Sequence, residues 1–202
     1  KYLNGGNLRE KNRAAIEAAI KKRDYHVNEY ARGLKSKKSR TVGVVLPEIS
    51  NLFNMKIVAV FERVLQENGY SVIVTDCQNN LEQEASSVDF LLKKQVDGII
   101  NVPIGSSSSH LRPAVEKKVP ILLLVRPLKA LNGVASCVLI DNRGAARLGV
   151  RRLLQAGHRR IGVLVGSDEV HTAQMRLRGY RDALEEYGVE YDESLVRRCD
   201  LT

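Results

Sequence analysis

The chain has 202 residues, 44% of them hydrophobic, and carries 32 Lys and Arg against 23 Asp and Glu for a net charge of +9. That length supports one or two domains with adequate cores. No apolar run approaches the ~18 residues of a membrane span, no signal-like segment opens the chain, and Cys77, Cys137 and Cys199 match no metal-ligand spacing and suit a reducing cytoplasm.

The charge is concentrated at one end. Residues 1–40 hold twelve Lys and Arg against four Asp and Glu, which is eight of the nine net positive charges. A basic head on a nearly neutral body points to a polyanionic partner, with a solvated basic tail as the plainer alternative.

In chain order, Lys1-Tyr2-Leu3-Asn4-Gly5-Gly6 reads as the end of a helix. Asn7, with Glu10 three residues on, opens a second helix whose narrow apolar stripe is Ala15, Ile16, Ala19 and Ile20. Residues 28–40 then form a short basic separator. Its helical part, from Asn28 to Lys35, is too short to be stable alone. Leu34 stands there as a lone apolar residue among cations. It fits either a wedge pressed into a DNA minor groove or a linker residue resting on the next domain.

From Thr41 the pattern alternates. Strands are predicted at 41–46, 71–75, 96–102, 119–125, 136–140 and 160–165, and helices at 55–67, 81–94, 108–117, 142–155 and 173–187. Such alternation means βαβ units around a parallel sheet. Asp141 is the expected cap of the helix at 142. An internal repeat runs through this region. Gly43, Phe61, Leu65, Glu67 and Gly69 recur 119 residues later as Gly162, Tyr180, Leu184, Glu186 and Gly188. Two similar lobes follow from this, with the second begun but not finished by Thr202. The chain opens on Lys1 rather than Met, so it is expected to be a piece of a longer protein.

Ligands in open parallel sheets sit beyond the carboxyl ends of the strands. The loops there offer Asn51, Phe53, Asp76, Asn79, the Ser106–Ser109 run and Arg126, with Arg176 at the start of the last helix. An aromatic face, hydroxyls, amides, a carboxylate and guanidiniums suit a polyol or a phosphorylated or carboxylated small molecule. No dinucleotide, phosphate-loop, zinc-protease or nucleophile-elbow motif is present. His26, His110, His158 and His171 are scattered and no paired carboxylates stand out. The reading is therefore of a protein that is no enzyme, with no catalytic set, no cofactor and no metal site.

These segments, in this order, resemble the LacI family of bacterial transcription regulators. The likeness rests on Tyr2-Leu3-Asn4-Gly5, on Asn28-x-x-Ala31-Arg32-x-Leu34, on Ser39 to Val45 followed by Ile49-Ser50-Asn51-x-Phe53, on Asp97-Gly98-Ile99-Ile100, on Ile140-Asp141-Asn142, on Gly157 to Gly162 and on Arg176-x-x-Gly179-Tyr180. It implies a remnant of an all-α helix-turn-helix head (1–26), a hinge helix and linker (27–40), and a two-lobed α/β sensor like a periplasmic sugar-binding protein. The first lobe would span 41–140 and a partial second lobe 141–202. It further implies a cytoplasmic homodimer, a repressor, on a near-palindromic double-stranded operator. Asn28, Ala31, Arg32, Leu34 and Lys35 would contact DNA in the hinge and Arg9, Lys11 and Arg13 in the head. Phe53, Arg126 and Arg176 would hold a sugar or related effector, joined by Asp76 on its loop position. The family often has Pro where Leu52 stands and Asp where Val125 stands. A transport-type sugar-binding protein sharing the sensor fold is the alternative.

Overall fold

A computed structural model describes residues 10–23, 38–168 and 170–199. The chain divides into two compact units, Lys1–Arg40 and Thr41–Thr202. In the first unit the described element is helix α1 (Glu10–Arg23), with Lys21, Lys22 and Arg23 in its last turn, where cations complement the helix dipole. Arg13 Nε donates to Glu17 Oε1 at 3.2 Å one turn on. The apolar stripe is narrower than its sequence implies: Ile16 and Ile20 are half-buried, whereas Ala15 and Ala19 are exposed. A helix-turn-helix is not seen among the described residues. Arg9 and the hinge residues Asn28, Ala31, Arg32, Leu34 and Lys35 lie outside them, as does the Lys11 side chain.

The second unit begins with β1 (Thr41–Leu46), followed by α2 (Leu52–Glu67), β2 (Ser71–Asp76), α3 (Leu81–Lys93), β3 (Gly98–Asn101), α4 (Arg112–Glu116), β4 (Ile121–Leu124) and β5 (Ser136–Val138). The five strands form one sheet in the order β2-β1-β3-β4-β5. Every pairing is parallel; Val44 of β1, for example, lies between Val74 and Ile100. Strand periodicity sorts β1 between two cores. Val44 and Leu46 join Val58, Ile100 and Leu124 beneath α2. Val45 joins Val88, Leu91, Ile99 and Leu123 beneath α3. Helices on both faces are what a buried parallel sheet requires.

The chain then enters α5 (Asn142–Gln155), β6 (Val163–Val165), α6 (His171–Glu186) and β7 (Val196–Arg198). Strands β6 and β7 pair in parallel as a second sheet. Their core is Leu154, Ile161, Val165, Leu177, Tyr180, Ala183, Leu184 and Val196. Helices α5 and α6 cross closely because Gly179 has no side chain: a Cβ there would lie 2.1 Å from the Arg143 carbonyl oxygen. Arg143–Asp182 and Arg147–Glu186 ion pairs lace the same two helices together.

Several boundaries differ from the sequence reading for local reasons. Helix α2 starts at Leu52 because Asn51 Oδ1 accepts the Phe53 and Asn54 N–H groups at 3.0 and 3.4 Å. The helix expected at 108–117 is a 3₁₀ turn (Ser109–Leu111) followed by the five-residue α4, with no side-chain cap from Ser108. The strands expected at 96–102, 119–125 and 160–165 start later, since Gly98, Ile121 and Val163 are the first residues in register with a neighbour, and the one expected at 136–140 ends at Val138, the last residue in register with β4. Strand β7 has no counterpart in the sequence reading. Asp141 caps α5 as expected, accepting the Gly144 N–H at 2.8 Å. Among the described residues no helix is long and apolar enough to cross a membrane.

Candidate functional site

The start of α2, the turn after β4 and the segment that follows β5 face α5, β6 and the first half of α6. Between them lies a cleft of about 520 Å³ whose lining includes Phe53, Val125, Ile140, Asn142, Arg176 and Tyr180. Its far wall is apolar, formed by α5 and by β6, which among the described residues has a strand neighbour on one edge only.

Two of the sequence-predicted effector residues meet here. Phe53 is on the first turn of α2, positioned by the Asn51 cap. Arg176 stands on α6, and its Nε donates to Asn142 Oδ1 at 2.9 Å. Asn142 is only 6% exposed and donates its own Nδ2 to the Ile140 carbonyl at 3.1 Å, so the amide that orients Arg176 is itself held.

Arg126 follows a tight backbone reversal. Its N–H reaches back to the Leu124 carbonyl at 2.7 Å across Val125, whose φ is +68°. A three-residue turn of that hand is rare and strained, the more so on a β-branched residue. It turns Arg126 toward the Pro103 and Ile104 carbonyls, which accept from its Nη1. Burial holds its guanidinium below the usual arginine range. The Glu84 carboxylate opposes that, and the positive charge of Arg176 adds to it.

Asp76 is not among the cleft residues. It ends β2, and its Oδ1 accepts the Gln78 N–H at 3.0 Å. The serine run folds on itself, Ser107 and Ser109 hydroxyls lying 3.0 Å apart. Asn79 Nδ2 donates to Glu48 Oε2 at 3.4 Å.

Behind Arg126 lies a polar cluster that the sequence reading did not single out. Glu84 and Asn101 are fully buried, at 0% exposure. Glu84 Oε1 accepts from Asn101 Nδ2 at 3.1 Å and from the Ile104 N–H at 3.4 Å. His110 Nε2 lies 3.4 Å from the same oxygen. Burial holds His110 below its ordinary 6.5, and Glu84 opposes this more weakly. Burial thus favours the neutral ring, whose Nε2 also lies 3.5 Å from Asn101 Nδ2. Glu84 Oε2, Asn101 Oδ1 and Arg126 Nε are buried without a hydrogen-bond partner among the described residues. One signal for this cluster was in the sequence. Glu84 falls three residues after Leu81 and four before Val88, an acid on the apolar stripe of its own helix. Nearby, burial raises the Cys77 thiol to about 11.

The profile of the family described as "Periplasmic binding proteins and sugar binding domain of LacI family" matches residues 39–202. Catabolite control protein A of Priestia megaterium is 31% identical over 204 residues, covering 100% of this chain and 61% of that protein. The crystal structure of a putative ribose operon repressor from Burkholderia thailandensis superposes with a TM-score of 0.75 at 29% identity, over 80% of this chain and 61% of that one. A transcriptional regulator CelR–cellobiose complex gives 0.72 at 29% identity, over 99% and 60% of the two chains. The chain thus spans about three fifths of the relatives it matches.

Proposed function

The chain belongs to the LacI family, and we propose that it serves as the sensor body and part of the DNA-reading head of an effector-responsive transcription repressor. The observation that carries this reading is the cleft at the strand ends. Phe53 and the Asn142-oriented Arg176 lie there on opposite sides of a fold shared with sugar-binding regulators. On this reading residues 41–140 and 141–202 are the two lobes. An effector, a sugar or related metabolite, sits among Phe53, Arg126 and Arg176, with Asp76 at the rim. Residues 1–26 belong to a helix-turn-helix head and 27–40 to the hinge.

The protein acts in the cytoplasm as a homodimer on a near-palindromic operator. Exposed apolar residues along α2 support a second copy as partner: Leu52 is 69%, Val60 53% and Val64 43% exposed. Arg9, Lys11, Arg13 and Lys35 contact phosphates. Asn28, Ala31 and Arg32 track the groove, and Leu34 wedges between bases. Effector binding changes the lobe geometry, and with it the free energy of ordering two hinges side by side. The names of the relatives favour this over a transport-type binding protein.

Fluorescence anisotropy of operator fragments, with and without candidate effectors, tests the reading. Leu34→Ala is expected to weaken specific binding far more than nonspecific binding. Equal losses would remove the wedge role. An operator affinity untouched by any ligand that binds the cleft would remove the sensor role.

A further inference from the structure

We propose that residues 105–110 form a strap across the carboxyl end of β3, and that acid unties it by protonating His110 while the sheet beneath stays folded. The strap lies wholly within the described residues, and the proposal holds whatever the cleft binds.

The segment has little of its own to hold it. Strand β3 ends at Asn101, and the Val102 N–H then makes a last bond back to the sheet, to the Val45 carbonyl at 3.0 Å. Ile104 packs partly against the core, and the next apolar side chain is the fully buried Leu111. Between them stand Gly105, four serines and His110, so buried hydrocarbon contributes little there. The serines bond to one another, and Ser108 lends no cap to the 3₁₀ turn.

One oxygen fastens both ends. Glu84 Oε1 accepts the Ile104 N–H at 3.4 Å before the segment and lies 3.4 Å from His110 Nε2 at its close. Asn101 Nδ2 braces that oxygen at 3.1 Å and lies 3.5 Å from His110 Nε2. The two ends differ in kind. At the first, Arg126 Nη1 also donates to the Pro103 and Ile104 carbonyls, and a guanidinium does not lose its proton. At the second, the fastening is an imidazole, the side chain that titrates nearest neutrality.

The groups around His110 decide what acid does. Glu84, on α3, faces the ring and favours its charged form. Arg126, after β4, is engaged with the two carbonyls, and Arg112, two residues on, is turned to Glu116 at 3.0 Å. Cys77, raised to about 11, stays an uncharged thiol. The His110 side chain is only 5% exposed, and burial outweighs Glu84, holding the ring below its ordinary 6.5. A ring swung into water binds its proton near that ordinary value. The untied state therefore takes up the proton more readily than the tied one. The tied state loses ground as pH falls below 6.5, by up to about tenfold per pH unit, until the buried pKa is passed. A protonated ring also points an N–H at the Asn101 amide nitrogen, donor against donor.

Amide hydrogen exchange followed by NMR from about pH 7.5 to about pH 5.5 tests the proposal. Protection, corrected for the intrinsic rate at each pH, is read at two pairs of amides. Leu111 and Arg112 donate to the Ser108 and Ser109 carbonyls within the turn. Cys77 and Ile99 donate to the Leu46 and Pro120 carbonyls in the sheet. The first pair should lose at least about fivefold in protection and the second less than about twofold. His110→Gln, which takes no proton, should remove the pH dependence of the first pair. The ring's own titration, followed on its Cε1–H, should share its midpoint with the release.

Loss of protection in both pairs together means that acid unfolds the sheet, and the strap is wrong. Protection that holds at Leu111 and Arg112, or that falls equally in His110→Gln, overturns the proposal as well. Should His110→Gln fail to fold, the midpoints decide: a ring that titrates while the segment stays protected sinks the idea.

Discussion

The two sheets start from nearly the same local sequence and reach different environments. Strand β1 reads Val42-Gly43-Val44-Val45-Leu46 and its repeat reads Ile161-Gly162-Val163-Leu164-Val165. Both helices that follow end alike. Gly69 and Gly188 have φ of +74° and +64°, and the next residue's N–H returns to the Leu65 or Leu184 carbonyl at 2.8 or 2.9 Å. Burial is where they part. Val45 is 0% exposed, whereas its counterpart Leu164 is 70% exposed. Strand β1 is paired on both edges and covered on both faces; β6 is paired with β7 alone among the described residues. Local sequence is enough to write a strand, a helix and a turn. The burial that stabilises them comes from neighbours elsewhere in the chain.

The five-stranded sheet also holds a feature with no counterpart among the described residues around the two-stranded one, the Glu84 cluster. It should give the largest effect. Glu84→Ala removes the acceptor that the buried Asn101 amide and the Ile104 N–H share and should cost roughly 2–5 kcal/mol in urea denaturation, about 1–3 for each donor left unsatisfied. His110 gives a pH signature of the same cluster. Its folded pKa is depressed by burial, so below the ordinary 6.5 the unfolded chain binds more protons than the folded one. Stability should therefore fall as pH drops below that value and level off under the folded pKa. His110→Asn should flatten that part of the curve. An unchanged slope would show that the cluster does not titrate.

Matched glycines come next. A Cβ on Gly43 would stand 2.5 Å from Leu91 Cδ1, whereas one on Gly162 would meet only the Leu195 carbonyl oxygen, at 3.7 Å. Gly43→Ala should cost about 1–3 kcal/mol and Gly162→Ala no more than about 0.5. Equal costs would mean that the second sheet is as tightly covered as the first. The pair Val45→Ala and Leu164→Ala asks the same question by removal. In the 202-residue chain the first should cost about 2 kcal/mol and the second under about 0.5.

Legibility in the sequence follows the same division. Periodicity set the βαβ order and placed β1 and α5 to the residue, because each carries its own signals: a run of β-branched residues ended by Pro47, and a cap at Asp141. It overran β3, β4 and β6, where strand ends are decided by a partner's register. Strand β7, only three residues long, has too little sequence for a period to show. For the site, loop position and resemblance named Phe53 and Arg176, which meet in one cleft, and Asp76 and Arg126, which do not line it. The Glu84–Asn101–His110 cluster joins residues from a helix, a strand end and a 3₁₀ turn, so beyond the acid at Glu84 on its helix's apolar stripe no spacing announces it. The strained backbone at Val125 is equally silent, because nothing in a valine signals a positive φ.

The smallest expected effect tests the repeat at a point where its two copies differ by a single side chain. Position 51 and position 170 are equivalent N-caps with nearly the same backbone: φ and ψ are −70° and 116° at Asn51 and −90° and 116° at Val170. Asn51 caps α2 with its side-chain oxygen; valine has none to give, and α6 starts without a side-chain cap. Asn51→Ala should cost about 1 kcal/mol. Val170→Asn should return a similar amount, because the backbone already has the extended conformation that a cap needs. If Val170→Asn gives nothing while Asn51→Ala costs, the two helix starts differ in more than the side chain. The repeat would then hold for strands and turns but not for the rim of the cleft, where Phe53 follows one cap and Arg176 the other.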